Sequence, residues 1–117
     1  MVLAPVKSDP AVSWKQLSPH RQRLLALIES VQYGRIERLL IRGKEPVDSP
    51  DTRIIRTVKF GKPSSVRSIG SDQDFVLKRE IVEFLSYIDR VRDGLILRIE
   101  IAAGQPRLLE IEESCGL

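Results

Sequence analysis

The sequence reads GRIERLLIRGKEP at residues 34–46 and GLILRIEIAAGQP at residues 94–106. Each stretch begins with a glycine, continues with residues suited to a strand and ends in a turn closed by proline. Both stretches therefore predict a strand followed by a tight turn. Five positions keep their residue type at a constant offset of 60 residues: Gly34 with Gly94, Ile36 with Ile96, Arg38 with Arg98, Ile41 with Ile101, and Pro46 with Pro106.

A helix is predicted before each of these stretches. Ser18 and Pro19 favour a helix start, because serine caps the first turn and proline suits the first helical position. An apolar stripe at helical spacing follows, formed by Leu24, Leu27, Ile28 and Val31. The second helix is predicted to begin near Ser71 or Asp72. Its apolar stripe consists of Leu77, Ile81, Phe84, Leu85, Ile88 and Val91.

Two strands are predicted after each helix. Gly34 and Gly94 are expected to end the helices in the left-handed conformation that glycine favours. After the second turn the return strand follows at once over residues 107–112, whereas residues 47–51 intervene before the first return strand at 52–60. The order αββ-αββ indicates a pseudo-duplicated chain, although paired helix-and-hairpin units also arise without duplication.

These elements predict an α+β fold, with a single antiparallel sheet of about four strands and both helices packed on one face. Residues 1–16 are expected to form a flexible N-terminal arm. Residues 17–113 form one domain made of two αββ units, at 17–60 and 71–113, joined by a loop at 61–70. Residues 114–117 form a tail.

Composition narrows the class of protein. The chain has 117 residues, of which 42% are hydrophobic and 30% charged, as is typical of one globular domain. It offers no apolar run long enough to span a bilayer and no apolar N-terminal signal core. A single cysteine, Cys115, cannot form an internal disulfide. We therefore expect a cytoplasmic protein without membrane contact.

Alternation along the strands predicts a sheet face that the helices leave uncovered. This open face is expected to combine charge with aliphatic side chains, which form the candidate interface Ile36, Leu40, Ile55, Ile96 and Leu108. A monomer seldom exposes so many aliphatic side chains together. The leading prediction is a small binding protein that self-associates or docks a protein partner through this face. The arm folding across the face, or a curled sheet, would also cover it.

Charge is distributed unevenly along the chain. Residues 35–68 carry nine Lys/Arg and four Asp/Glu, whereas residues 69–117 carry six and ten. Basic side chains contact nucleic-acid phosphates without a fixed pattern. The alternative function is therefore nucleic-acid backbone binding through the candidate basic patch Arg38, Arg42, Arg53, Lys59 and Lys62. Charge of this kind is also common on a solvated surface that binds nothing.

Motifs for catalysis, metals and cofactors are weak. The one histidine, His20, and the one cysteine are too few for a His/Cys metal site, and they do not indicate a catalytic pair. Asp72, Asp74 and Glu83 match part of a calcium-loop spacing, but Leu77 occupies the position of the required glycine. We therefore predict a protein that is not an enzyme, with no cofactor and no metal.

Overall fold

The computed structural model describes residues 12–61 and 77–113. Most of the predicted arm, the loop at 62–70, the predicted helix start at Ser71 or Asp72 and the tail lie outside these ranges. Residues 12–16 do not behave as a loose arm. Trp14 is buried within a short 3-10 helix, and the Leu77 N–H donates a hydrogen bond to the Val12 carbonyl at 2.9 Å. This segment therefore belongs to the folded domain.

The described residues form two α-helices and five strands in the order α1, β1, β2, β3, α2, β4, β5. Their bounds are α1 Pro19–Val31, β1 Gly34–Arg42, β2 Glu45–Val47, β3 Arg53–Arg56, α2 Arg79–Val91, β4 Gly94–Ala102 and β5 Gln105–Ile111.

The helix starts follow local chemistry. Helix α1 begins as predicted, because the Ser18 Oγ accepts a hydrogen bond from the Arg21 N–H at 3.2 Å. Helix α2 begins at Arg79, later than the sequence predicted. Lys78, just before the helix, has an extended backbone with φ of −67° and ψ of 154°, and Leu77 before it donates its N–H to the Val12 carbonyl.

The strands form one antiparallel sheet, so the predicted α+β class is confirmed. Strand β1 pairs with β4 on one side and with both β2 and β3 on the other. Strand β5 pairs with the far side of β4. The described residues contain five strands instead of about four, because residues 48–52 divide the first return strand into β2 and β3. The Thr52 hydroxyl donates to the Arg38 carbonyl at 2.8 Å and holds this interruption against β1.

One hydrophobic core joins the helices to one face of the sheet. Ile28 and Ile88 contribute from the helices, and both are fully buried. On strands β1 and β4 the buried positions are Ile36, Leu39, Ile41, Ile96, Ile99 and Ile101. Burial of these side chains excludes water from the helix–sheet interface and supplies the main stabilisation of the fold.

Irregular pairing at the middle of β1 and β4 changes which side chains face the core. Glu37 pairs with Arg98 and Leu39 with Ile96, so Arg38 and Leu97 are left out of the pairing. Arg38 takes a left-handed φ of 60° at this bulge. The bulge is symmetric, because one residue on each strand is unpaired and the β1–β4 register is the same on both sides of it. The core positions next to it are three residues apart, Ile36 and Leu39 on β1 and Ile96 and Ile99 on β4.

Several side-chain directions that simple alternation predicts are wrong. Ile36 and Ile96, which were placed on the open face, are 0% exposed in the core. Alternation with Ile99 and Ile101 predicts that Leu97 faces the core, but Leu97 is 38% exposed. Alternation along residues 52–60 gives Phe60 the same direction as Ile54 and so predicts that it faces the core. Phe60 is instead 92% exposed, because β3 ends at Arg56 and Phe60 lies beyond the sheet.

The helix ends also differ from the prediction. The residues with positive φ are Gln32 and Arg92, with φ of 65° and 62° and ψ of −61° and −72°. Each is the centre of a γ-turn, closed by the Tyr33 N–H donating to the Val31 carbonyl at 2.7 Å and the Asp93 N–H donating to the Val91 carbonyl at 2.6 Å. Gly34 instead has φ of 148°, and φ of Gly94 is outside the positive region. The chain therefore turns two residues before each glycine.

Candidate interface on the open sheet face

The strand register places charged side chains in two rows across the open sheet face. Directly paired residues of neighbouring strands share a face. The first row, which we name the Arg35 row, runs from β3 to β5 as Ile55, Arg35, Glu100 and Leu108. The second, the Glu37 row, runs in the same direction as Arg53, Glu37, Arg98 and Glu110.

Ion pairs connect the side chains of these rows. The Arg35 Nε lies 2.7 Å from the Glu37 Oε2. The Arg98 Nη2 lies 3.0 Å from a Glu110 oxygen and 3.4 Å from a Glu100 oxygen. The open face therefore carries a network of alternating charge made of two adjacent ion-pair clusters, Arg35 with Glu37 and Arg98 with Glu100 and Glu110.

Glu37 is the carboxylate most affected by this network. The Arg35 hydrogen bond, followed by the positive charges of Arg35, Arg53 and Arg98, holds the pKa of Glu37 below its ordinary value, against an opposing contribution from desolvation. A lowered pKa means that the charged form of Glu37 is favoured in the folded protein.

Arg98 lies at the centre of the face and is incompletely hydrogen-bonded. Its Nη2 contacts the two glutamates, but its Nε is buried and has no hydrogen-bond partner. A buried N–H without an acceptor is unfavourable by about 1–3 kcal/mol. A small rearrangement or a further acceptor over this face would relieve that penalty.

Aliphatic side chains flank the charged rows. Leu40 pairs with Val47 on one side and Leu95 on the other, and all three are half-buried. At the ends of the Arg35 row, Ile55 is half-buried and Leu108 is 42% exposed. The face thus combines apolar area with a charged centre.

The structure divides the candidate interface predicted from the sequence. Leu40, Ile55 and Leu108 lie on the open face, whereas Ile36 and Ile96 lie in the core. The sequence did not predict Arg35 and Glu37 as part of this face, because alternation placed Ile36 and Arg38 there instead. Arg35 and Glu37 have opposite charges and are two residues apart on one strand. That pattern is the signal in the sequence that could have identified them.

The candidate basic patch is dispersed among the described residues. Arg53 belongs to the Glu37 row, Arg38 is exposed at the bulge, and Arg42 is exposed at the end of β1. Lys59 lies beyond β3, with its Nζ 5.4 Å from the centre of the Tyr33 ring. Lys62 is outside the described residues.

Other kinds of site receive no support from the part of the chain that the structure describes. Within residues 12–61 and 77–113, no three His, Cys, Asp or Glu side chains come together as metal ligands would. In the same ranges, no helix has the length and apolar character needed to cross a bilayer. Comparison of the chain with protein-family models, curated proteins and solved structures gives no match.

Proposed function

We propose that this chain is a non-enzymatic binding protein that self-associates through the open sheet face. The observation that supports this proposal is the order of charges in the two rows. Read from β3 to β5, the Glu37 row is positive, negative, positive and negative, and the Arg35 row is apolar, positive, negative and apolar. Read in the opposite direction, from β5 to β3, each row has a negative charge wherever the forward order has a positive one, and the reverse. Each row is therefore complementary in charge to the same row of a second copy that runs in the opposite direction.

A second copy can use this property through a two-fold axis that lies between the two faces, parallel to the strands. Such an axis places β1 over β4 of the second copy and β3 over its β5. Arg35 then faces Glu100, Glu37 faces Arg98, and Ile55 faces Leu108. Two-fold symmetry requires a self-complementary surface, and these rows meet that requirement.

The size of the face limits the expected affinity. Four strand positions spaced about 4.8 Å apart, with about 3.3 Å per residue along β1, give a projected area of roughly 500–600 Å². Stable interfaces bury about 800 Å² on each partner. Desolvation of the charged rows also opposes association. We therefore expect a dimer with a dissociation constant in the micromolar range or weaker.

Sedimentation equilibrium tests this proposal directly. The full chain should pass from monomer to dimer as its concentration rises from about 1 μM to about 1 mM. The dimer should dissociate on addition of about 1 M NaCl, because the complementary charges are screened. A monomer at every concentration would refute self-association.

We also infer that the two αββ units are structurally equivalent. Helices α1 and α2 both have 13 residues, and their bounds differ by 60. Two backbone hydrogen bonds are reciprocal at the same offset: the Lys44 N–H donates to the Arg92 carbonyl at 2.8 Å, and the Gly104 N–H donates to the Gln32 carbonyl at 2.9 Å. Superposition of residues 19–47 on 79–107 in an experimental structure would test this equivalence.

Nucleic-acid backbone binding ranks second. Its four described basic residues are dispersed over β1, β3 and the segment after β3, and Arg53 is opposite Glu37. Fluorescence anisotropy with a labelled 20-mer at 50 and 200 mM salt distinguishes the two functions, since phosphate contacts give steep salt dependence. Tight, salt-sensitive binding by a monomer would favour the nucleic-acid function.

A further inference from the structure

A groove of about 380 Å³ lies between helix α1 and the edge formed by β2 and β3. Its floor is apolar and is formed by Leu24, Leu27, Ile36, Leu39, Pro46 and Ile54. Ile54 pairs with the buried Ile36 and is on the core side of the sheet, yet it is 49% exposed. The edge of the first unit therefore leaves apolar surface open on the helix side, away from the open face.

Hydrogen-bond donors lie on the helix side of the groove. The Arg23 Nη2 is 3.3 Å from the His20 Nδ1. A guanidinium only donates, so this contact is a hydrogen bond in the tautomer of His20 that has its proton on Nε2. His20 and Arg23 line the groove and both retain N–H groups for a further acceptor.

The loop side of the groove carries two hydroxyl groups that already take part in hydrogen bonds, and one carboxylate. The Thr52 hydroxyl donates to the Arg38 carbonyl, and the Ser49 Oγ accepts from the Asp51 N–H. Asp48 adds a carboxylate to this side. An anionic group of a ligand would be repelled by Asp48 and attracted by Arg23, which orients it towards α1.

We propose that this groove binds a small amphipathic carboxylate. Its hydrocarbon part lies on the apolar floor, and its carboxylate accepts hydrogen bonds from Arg23 and His20. A volume of 380 Å³ is within the range of about 300–1,000 Å³ that is common for small-ligand sites. Arginine suits this ligand because its N–H groups match the geometry of a carboxylate.

The corresponding region of the second unit has the opposite character. Glu80 and Glu83 stand at the positions that correspond to His20 and Arg23. The outer strand β5 also continues without the interruption that separates β2 from β3. The site is therefore confined to the first unit, and it is independent of self-association through the open face.

Titration of the ¹⁵N-labelled full chain with octanoate tests this site by NMR. Saturable shifts are expected in residues 20–27 and 46–54, at about millimolar octanoate as suits a ligand of this size. Octylammonium, with the same chain and the opposite charge, should bind at least about fivefold more weakly if an arginine holds the head group. Equal binding of both probes, or shifts that do not saturate, would overturn the proposal.

Two variants separate the role of Arg23 from a general effect of charge. Arg23→Gln should weaken octanoate binding at least about fivefold, because the charged hydrogen bond is lost. Arg79→Gln is the matched control, since Arg79 is an exposed arginine at the start of α2 that does not line the groove. It should leave the affinity unchanged. Equal affinity of Arg23→Gln and the original chain would overturn the proposal.

Discussion

Arg35 and Glu37 form an ion pair along the open face of β1, with the Arg35 Nε 2.7 Å from the Glu37 Oε2. Glu37 also lies directly opposite Arg53 and Arg98 on the two neighbouring strands. One carboxylate is therefore close to three guanidinium groups. This arrangement makes the centre of the face sensitive to pH and to charge reversal.

Glu37 should contribute to stability in a pH-dependent way. Its pKa is lower in the folded protein than in the unfolded chain, mainly because of Arg35. As the pH falls, the unfolded state therefore takes up the proton before the folded state does. The stabilisation from Glu37 is fully present above about pH 5 and is lost as the pH falls through the lowered pKa. Glu37→Gln should reduce the loss in the free energy of unfolding that occurs between pH 7 and pH 3, measured by urea unfolding. Glu83→Gln, an exposed glutamate of α2, is the control for the loss of one carboxylate. The prediction would be contradicted if Glu37→Gln and the original chain lost the same free energy of unfolding between pH 7 and pH 3.

A charge swap should separate self-association from folding. Arg35→Glu and Glu100→Arg should each weaken the dimer about tenfold or more, because each places like charges opposite one another between copies. The double variant Arg35→Glu with Glu100→Arg restores the opposite charges between β1 and β4 at this pair and between copies. It still removes the Arg35–Glu37 and Arg98–Glu100 ion pairs along the two strands, so its free energy of unfolding is measured as well. It should recover most of the affinity in sedimentation experiments. A double variant as weak as the singles would show that the proposed pairing of the two faces is wrong.

The two glycines that precede the central strands should differ in their tolerance of a side chain. At Gly34 an added Cβ would lie 2.1 Å from the Ile55 carbonyl oxygen, with φ at 148°. Gly34→Ala should therefore destabilise the protein by about 2 kcal/mol or more and displace β3. At Gly94 the nearest atom is a Val91 methyl at 3.2 Å, which belongs to a side chain that can move. Gly94→Ala should change stability by less than about 1 kcal/mol. Denaturant unfolding that shows equal losses would refute this difference.

Truncation of Ile96 should mainly affect stability, whereas truncation of Leu108 should mainly affect self-association. Ile96 is 0% exposed in the core, so Ile96→Ala should reduce the free energy of unfolding by about 3 kcal/mol. Leu108 is 42% exposed, so Leu108→Ala should reduce it by less than about 1 kcal/mol while weakening the dimer. Chemical unfolding and sedimentation measure the two effects. A large loss of stability in Leu108→Ala without any change in association would contradict its place at the interface.

Local chemistry made several elements predictable. Ser18 and Pro19 define the start of α1, and the apolar stripe containing Ile28 identifies its buried side. The alternation in 34–41 and 94–101 likewise identifies strands. The start of α2 was less predictable because the bond from Leu77 to Val12 joins residues that are distant in sequence.

Only part of the candidate site followed from the sequence. Leu40, Ile55 and Leu108 were correctly assigned to the open face. Ile36 and Ile96 were not, because simple alternation assumes that every residue of a strand is paired. Arg38 and Leu97 are left out of the β1–β4 pairing, so the assumption fails between positions 36 and 39. The Arg35 and Glu37 rows also depend on register, which joins residues up to 65 positions apart.

The sequence by itself determined the α+β class, the helix stripes and the turns, since these depend on residues within a few positions of one another. Tertiary structure decided which side of each strand faces the helices, because the bulge at Arg38 forms only when β1 and β4 pair. It also decided the groove beside Ile54, which depends on the packing of α1 against a divided outer strand. Long-range pairing and packing, which local propensity does not encode, therefore positioned both candidate sites.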